Sequence, residues 1–188
     1  MRHFAIRALV GCAVALVFAA GACAADEQID NPAYKKWSAY KPGTWVKYKQ
    51  SGETAGQKTE TETTFKLLEV TPEKAVLEIS MSMNVAGQKM DMPAQKQDVP
   101  AKFTKPSTSG GTAPKPEVKE GEEEVTVAGK TFKCKTIEST VKQGDMTVWS
   151  KTWMSDEVPQ GTVKMQSKTE GQMKMTSNME LVDFEIAK

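Results

Sequence analysis

The segment Asp145–Met165, DMTVWSKTWMSDEVPQGTVKM, decides the fold. Its first part alternates apolar and polar residues with a period of two, which is the spacing of a β-strand with a different set of side chains on each face. The proline and glycine between Ser155 and Gly161 then predict a turn, after which a second strand begins. The segment is therefore interpreted as two adjacent strands joined by a short loop.

The first of these strands carries apolar bulk on both faces. Trp149 and Trp153 share one face with Lys151. The other face carries Met146, Val148 and Met154. A strand that is apolar on both sides is typical of the middle of a sheet or of a sheet covered on both faces. We therefore expect this strand to be central.

The same alternation continues upstream and downstream. It is clearest from Ala75 to Val85, where apolar residues occupy every second position over eleven residues. Glycine-containing turns separate such strands, as in AGQKTET, AGQKMDM and EGQMKMT. Asn31 and Pro32 are typical of the N-cap and the first residue of a helix, so a short helix is predicted to begin there. The sequence thus predicts a mainly β protein, a curved antiparallel sheet or open half-barrel formed by a meander, with a short N-terminal helix.

One segment lacks the alternation. Residues 93–121 hold five of the nine prolines and the sequence STSGGT, and few of them are apolar. This composition is typical of a loop or linker. We predict a solvated loop, with a functional flap as the alternative, within a single β domain at 26–188.

The N-terminus reads as a secretory signal at 1–25. Arg2, His3 and Arg7 are followed by an apolar run from Leu9 to Ala20 and then by small residues. The run is shorter than the ~20 apolar residues that span a membrane. We expect an exported protein, periplasmic or secreted.

Two cleavages of this signal compete. Ala22-Cys23-Ala24 fits the rule for an ordinary signal peptidase. Ala20 to Cys23 instead resembles a bacterial lipobox, in which Cys23 would be lipidated and would anchor the protein to the membrane. Ordinary export is the main expectation.

Removal of the signal would leave a mature chain without two residue types, histidine and arginine, that many active sites and nucleic-acid interfaces use. The only histidine and both arginines lie within it, so the mature chain has 23 lysines against 24 acidic residues. Without histidine there is no Ser-His-Asp triad and no histidine-bound zinc. Without arginine or a basic stripe, nucleic acid is not an expected partner. We expect a non-enzymatic protein with no cofactor.

Only one cysteine remains in the predicted mature chain. After ordinary export Cys134 is the only cysteine, so an intramolecular disulfide is not available. It lies in the strand-like sequence KTFKCKTIE, where it is expected to be a small buried apolar residue. A reactive thiol or an intermolecular bridge is the alternative.

Methionine is the unusual residue, with ten left after Met1. Three pairs have a spacing of two residues: Met81/Met83, Met90/Met92 and Met173/Met175. On a strand both members of such a pair point to one face. Methionine suits irregular cores and promiscuous binding surfaces, and its thioether is a soft ligand that selects Cu(I).

The second half of the chain resembles a known superfamily. The order VAGKTFKC at 127–134, WSKTW at 149–153, SDEVPQGTVKM at 155–165 and ELVDF at 180–184 is similar to exported proteins of the LolA/LolB-like superfamily. The resemblance covers about residues 122–184 and implies a curved antiparallel sheet around an apolar cavity. Lipoprotein carriers of that superfamily hold their lid with an arginine, which the mature chain lacks, so the resemblance implies the fold and not lipoprotein carriage.

These observations lead to one main hypothesis. The chain is expected to bind a hydrophobic small molecule, a lipid or acyl chain, or an apolar segment of an envelope protein partner. The expected pocket residues are Met81, Met83, Trp149, Trp153, Met173 and Met175. One alternative is a periplasmic Cu(I)-binding protein that uses Met90 and Met92. A second alternative is a structural envelope protein without a pocket.

Overall fold

The computed structural model describes residues 28–54, 56–85, 87–104, 115–171 and 174–188. The predicted signal at 1–25, with Cys23, lies outside these ranges. The elements in chain order are β1 (Gln28–Asp30), α1 (Pro32–Trp37), β2 (Trp45–Thr54), β3 (Gln57–Val70), β4 (Lys74–Val85), β5 (Gln88–Pro100), β6 (Lys102–Thr104), β7 (Glu117–Val127), β8 (Lys130–Gln143), β9 (Met146–Met154), β10 (Thr162–Glu170) and β11 (Met175–Glu185). Among these residues no helix is long and apolar enough to cross a membrane.

Nine of the strands form one antiparallel sheet in the order β5-β4-β3-β2-β11-β10-β9-β8-β7. The sheet consists of two meanders, β2 to β5 and β7 to β11, which the pairing of β2 with β11 joins. The sheet is not closed, and β1 pairs with β6 in a separate ribbon. The predicted mainly β fold, with an open antiparallel sheet and a short N-terminal helix, is confirmed. The strand β9, expected to be central or covered on both faces, is an inner strand between β8 and β10.

The helix α1 begins as its sequence predicts. The Asn31 side-chain oxygen accepts a hydrogen bond from the backbone N–H of Ala33, and Pro32 occupies the first turn. Trp37, its last residue, is buried in the core. The Tyr34 hydroxyl donates to the carbonyl of Thr71 at 2.7 Å, in the turn between β3 and β4. The aromatic residues of this short segment therefore fasten it to the end of the sheet.

The packed core lies at that same end of the sheet. Its buried members come from the strand ends nearest α1 and from the loop between β9 and β10: Trp37, Val46, Tyr48, Leu67, Ala75, Leu77, Phe132, Cys134, Trp153, Val158, Val163 and Leu181. Cys134 is 2% exposed, as expected for an apolar core residue, and burial raises the pKa of its thiol. Toward the opposite end the strand residues are half-buried or exposed. The sheet is thus tightly packed at one end and open at the other.

The predicted loop at 93–121 is wrong over part of its length. Strand β5 continues through Pro93 to Pro100, and β7 already begins at Glu117. Proline is tolerated because β5 is an edge strand and because the register shifts opposite Ile79 and Met81, so that Pro93 lies in a bulge. Residues 105–114, in the middle of the predicted loop, lie outside the described ranges.

The packing of Trp37 provides a direct test of the core. Replacement of Trp37 by Ala is expected to lower the free energy of unfolding by about 3–5 kcal/mol, because a fully buried aromatic ring is lost and a cavity remains. Urea unfolding followed by circular dichroism measures the change. The exposed neighbour Lys35→Ala is the control and should change stability by less than about 0.5 kcal/mol. Equal effects of the two substitutions would contradict the assignment.

Candidate binding face

One face of the sheet can be followed from strand to strand by its register. Directly paired residues of neighbouring strands place their side chains on the same face. One continuous row of pairs crosses all nine strands: Met90, Met83, Thr61, Gln50, Met179, Met165, Thr152, Ile137 and Glu120. We call the side of the sheet that carries this row the methionine face.

The methionine face holds most of the exposed apolar side chains. Nine large hydrophobic residues are exposed among the described residues, and six of them lie on this face. The six are Met90, Met92, Val118, Ile137, Met146 and Met175. An excess of exposed apolar surface on one side of a protein marks a candidate binding site, although here the six residues are distributed over β5, β7, β8, β9 and β11. The methionine face is therefore the candidate site.

A row of small residues runs beside the methionines. Its members, paired in turn across five strands, are Gly52, Ser177, Ser167, Ser150 and Ser139. The next row contains Met175, Thr169, Val148 and Val141. From this alternation of small residues with rows that contain methionine and valine, we infer a shallow trough across the strands. At a strand spacing of ~4.8 Å, this trough is roughly 19 Å long.

The opposite face is covered by ion pairs. Lys164 bonds to Glu180 at 2.6 Å and Lys49 bonds to Glu60 at 3.2 Å. Lys49 and Lys164 lie in one row of the register because each pairs with Glu180. The hydrogen bond from Lys164 is the largest cause that lowers the pKa of Glu180. We call this side the charged face.

The register corrects the expectation for the two tryptophans. The methionine row reaches Thr152, and the neighbouring positions Lys151 and Trp153 point to the other side. Trp153 and Trp149 therefore lie on the charged face and do not line a common pocket with Met81 and Met83. Local alternation places both tryptophans on one face, but only the successive pairings from β9 through β10, β11, β2 and β3 to β4 show that it is the face opposite the methionines.

The tryptophans instead bind carboxylates. Trp153 donates its ring N–H to Glu123 at 2.7 Å, and Trp149 donates to Glu138 at 3.0 Å. Lys151 bonds to Glu123 at 2.6 Å and lies 4.9 Å from the centre of the Trp153 ring. These two hydrogen bonds, from Lys151 and then Trp153, lower the pKa of Glu123. Glu123 thus forms a cluster with Trp153 and Lys151.

The charged face also carries an open cleft of about 460 Å³ beside Trp149. Its lining includes Lys58, Glu60 and Lys168, and it also touches Gly52, Ser167 and Ser177 of the row of small residues. The charged side chains in this lining do not suit an acyl chain, which has no groups to pair with them. The cleft therefore does not replace the methionine face as a hydrophobic site.

The predicted methionine pairs have different outcomes. Met81 pairs directly with Met92, and Met83 with Met90, so two of the pairs form one group. Met175 lies on the same face but on β11, the middle strand of the sheet, three strands from β4, and Met173 lies outside the described residues. Within the described ranges no three His, Cys, Asp or Glu side chains are placed to hold a metal ion together.

Comparisons with known proteins give structural similarities only. No protein-family model and no curated protein sequence matches the chain. A predicted exported protein with a YmcC-like fold from Bacteroides fragilis is similar, with 9% identity and a TM-score of 0.43 over 78% of this chain and 97% of that one. A predicted lipoprotein from Parabacteroides distasonis has 10% identity and a TM-score of 0.39 over 77% and 97%. A DUF1329 family protein from Desulfovibrio piger has 10% identity and a TM-score of 0.20 over 82% and 90%.

The Glu123 cluster predicts a pH-dependent contribution to stability. Because the pKa of Glu123 is lowered in the folded state, its stabilising effect is present above the ordinary glutamate pKa of ~4.3 and is lost as the pH falls through the lowered value. Glu123→Gln should therefore be less stable than the wild type at pH 7, and the difference should shrink at pH 3. Urea unfolding at the two pH values measures it.

The neighbouring carboxylate Glu124 provides the matched control, because it is exposed and points to the other face of β7. Glu124→Gln should leave the difference between the two pH values as in the wild type. A Glu123→Gln variant that is equally destabilised at both pH values would show that the carboxylate charge is not what the cluster uses.

Proposed function

We propose that this chain is an exported, non-enzymatic protein that binds a hydrophobic ligand, a lipid or acyl chain, on its methionine face. The observation that carries the proposal is the segregation of six exposed apolar side chains onto one face of the sheet, with ion pairs on the other. A sheet face that stays exposed and apolar has a free-energy gain available from covering it, at roughly 25 cal/mol per Å².

The trough of small residues supports an extended ligand. Serine and glycine give it a low floor, while Met179 and Met165 on one side and Met175 on the other supply flexible apolar walls. A single extended hydrocarbon chain suits a shallow trough of this length better than a compact ligand does. The Gln50 side chain, which donates to Ser177 at 3.1 Å, would present a polar group to the ligand's head.

Export supports the same class of ligand. The signal at 1–25 directs the chain to a compartment bordered by membranes, which are a source of acyl chains. If Cys23 is lipidated, the protein is held at such a membrane. An apolar segment of an envelope protein is the competing occupant of this face.

A charge placed in the trough tests the proposal. Met165→Lys is expected to weaken the binding of a fluorescent fatty-acid probe by at least about tenfold, because an ammonium group would have to be buried beneath the hydrocarbon. Gln166→Lys is the matched control, since it adds the same charge at the next residue, on the charged face. It should bind the probe as the wild type does.

Two results would contradict the proposal. Equal weakening by both substitutions would mean that the effect is one of overall charge or stability and not of the methionine face. No binding of the probe by the wild type would favour the structural envelope protein. Far-UV circular dichroism of each variant confirms that the sheet is retained.

A further inference from the structure

We infer that Met81, Met83, Met90 and Met92 together form a soft-metal site that binds Cu(I). We call these four residues the methionine quartet. The sequence shows two pairs, and the structure adds that the two pairs lie directly opposite each other. This inference goes beyond the proposed function, because a bound metal ion is a different ligand and is recognised by sulfur rather than by hydrocarbon.

The register fixes the geometry of the quartet. Met81 pairs with Met92 and Met83 pairs with Met90 across the antiparallel strands β4 and β5. Directly opposed Cβ atoms are ~5 Å apart, and residues two apart on a strand are separated by ~7 Å. Four thioethers therefore project from one small patch. Methionine has three rotatable side-chain bonds, so the sulfurs can converge on an ion bound above the patch.

The quartet is open to solvent. Met90 and Met92 are 53% and 46% exposed, and Met81 and Met83 are half-buried. Strand β5 is at the edge of the sheet, so an ion can reach the sulfurs without any strand separating.

The residues around the quartet place no charged side chain on this face. Thr61 and Thr63 pair with Met83 and Met81 and supply only hydroxyls on this face. Lys89 and Asp91, which form an ion pair, are offset by one residue from the methionines and so point to the charged face. The patch is thus uncharged, and its only groups with strong preference for a metal are soft thioethers, which select Cu(I) over hard divalent ions.

Thioether binding has a distinctive dependence on pH. Cysteine and histidine ligands must lose a proton to bind a metal, but a methionine sulfur has none to lose. Cu(I) affinity at the quartet is therefore expected to be the same at pH 5 and pH 8. A site at Cys134 would weaken in acid instead, and that thiol is buried with a raised pKa.

Titration with Cu(I) tests the site. The wild type, purified after export, should withdraw a single Cu(I) from a colorimetric Cu(I) chelator under anaerobic, reducing conditions. Met90→Leu/Met92→Leu should lower the affinity at least about tenfold, and Met81→Leu/Met83→Leu should do the same. The matched control is Met165→Leu/Met179→Leu, which removes two directly paired methionines elsewhere on the same face and should leave the affinity unchanged.

Leucine keeps the apolar volume and removes the sulfur, so a loss of copper binding in the quartet variants, with an unchanged circular dichroism spectrum, reports on the thioethers and not on the fold. Equal copper affinity in wild type and quartet variants overturns the inference. So does copper binding that falls steeply between pH 8 and pH 5 and disappears in Cys134→Ala, because the thiol would then be the ligand.

Discussion

The pairing of β2 with β11 is the interaction on which the rest of the structure depends. Ten residue pairs join these strands, which come from opposite ends of the described chain. They unite two meanders that would otherwise be separate ribbons. The methionine row is continuous only because Gln50 on β2 lies opposite Met179 on β11. Tyr48 reinforces the junction, since its buried hydroxyl reaches across β11 and donates to the Thr162 carbonyl of β10 at 2.9 Å. Burial raises the pKa of this hydroxyl, which therefore stays a donor.

The two faces remain distinct because the register of the central strands is uninterrupted in the open half of the sheet. A slip of one residue would exchange methionines for lysines and glutamates on the exposed face. The irregularities occur toward the packed end, near Leu67, Leu181 and Val163, and opposite Pro93 on the edge strand. Bulges bend and twist the strands that contain them. Strand bending is thus concentrated beside the core, and the open half of the central strands keeps a regular ladder that holds the methionine face and the trough.

Local patterns in the sequence predict the strands and the helix well. They predict little of the strand register or of the contacts between side chains on different strands. Alternation at Ala75–Val85 and the cap at Asn31 identify a strand and a helix because both signals are local. The opposition of Met83 to Met90, and the bond from Trp153 to Glu123, depend on registers set by the whole sheet. Pro93 misleads for a related reason. Proline excludes a central strand but not an edge strand, and a single sequence does not say which strand is at the edge.

The position of β11 in the sheet has a consequence for the order of folding. This strand is the last of the described strands, yet it lies in the middle of the sheet between β2 and β10. The N-terminal meander therefore cannot pair with β11 until nearly all of the described chain has been made. Such distant pairing makes folding slow. Until β11 has been made, β2 has a partner on one side only, so the N-terminal meander keeps an unpaired edge during synthesis.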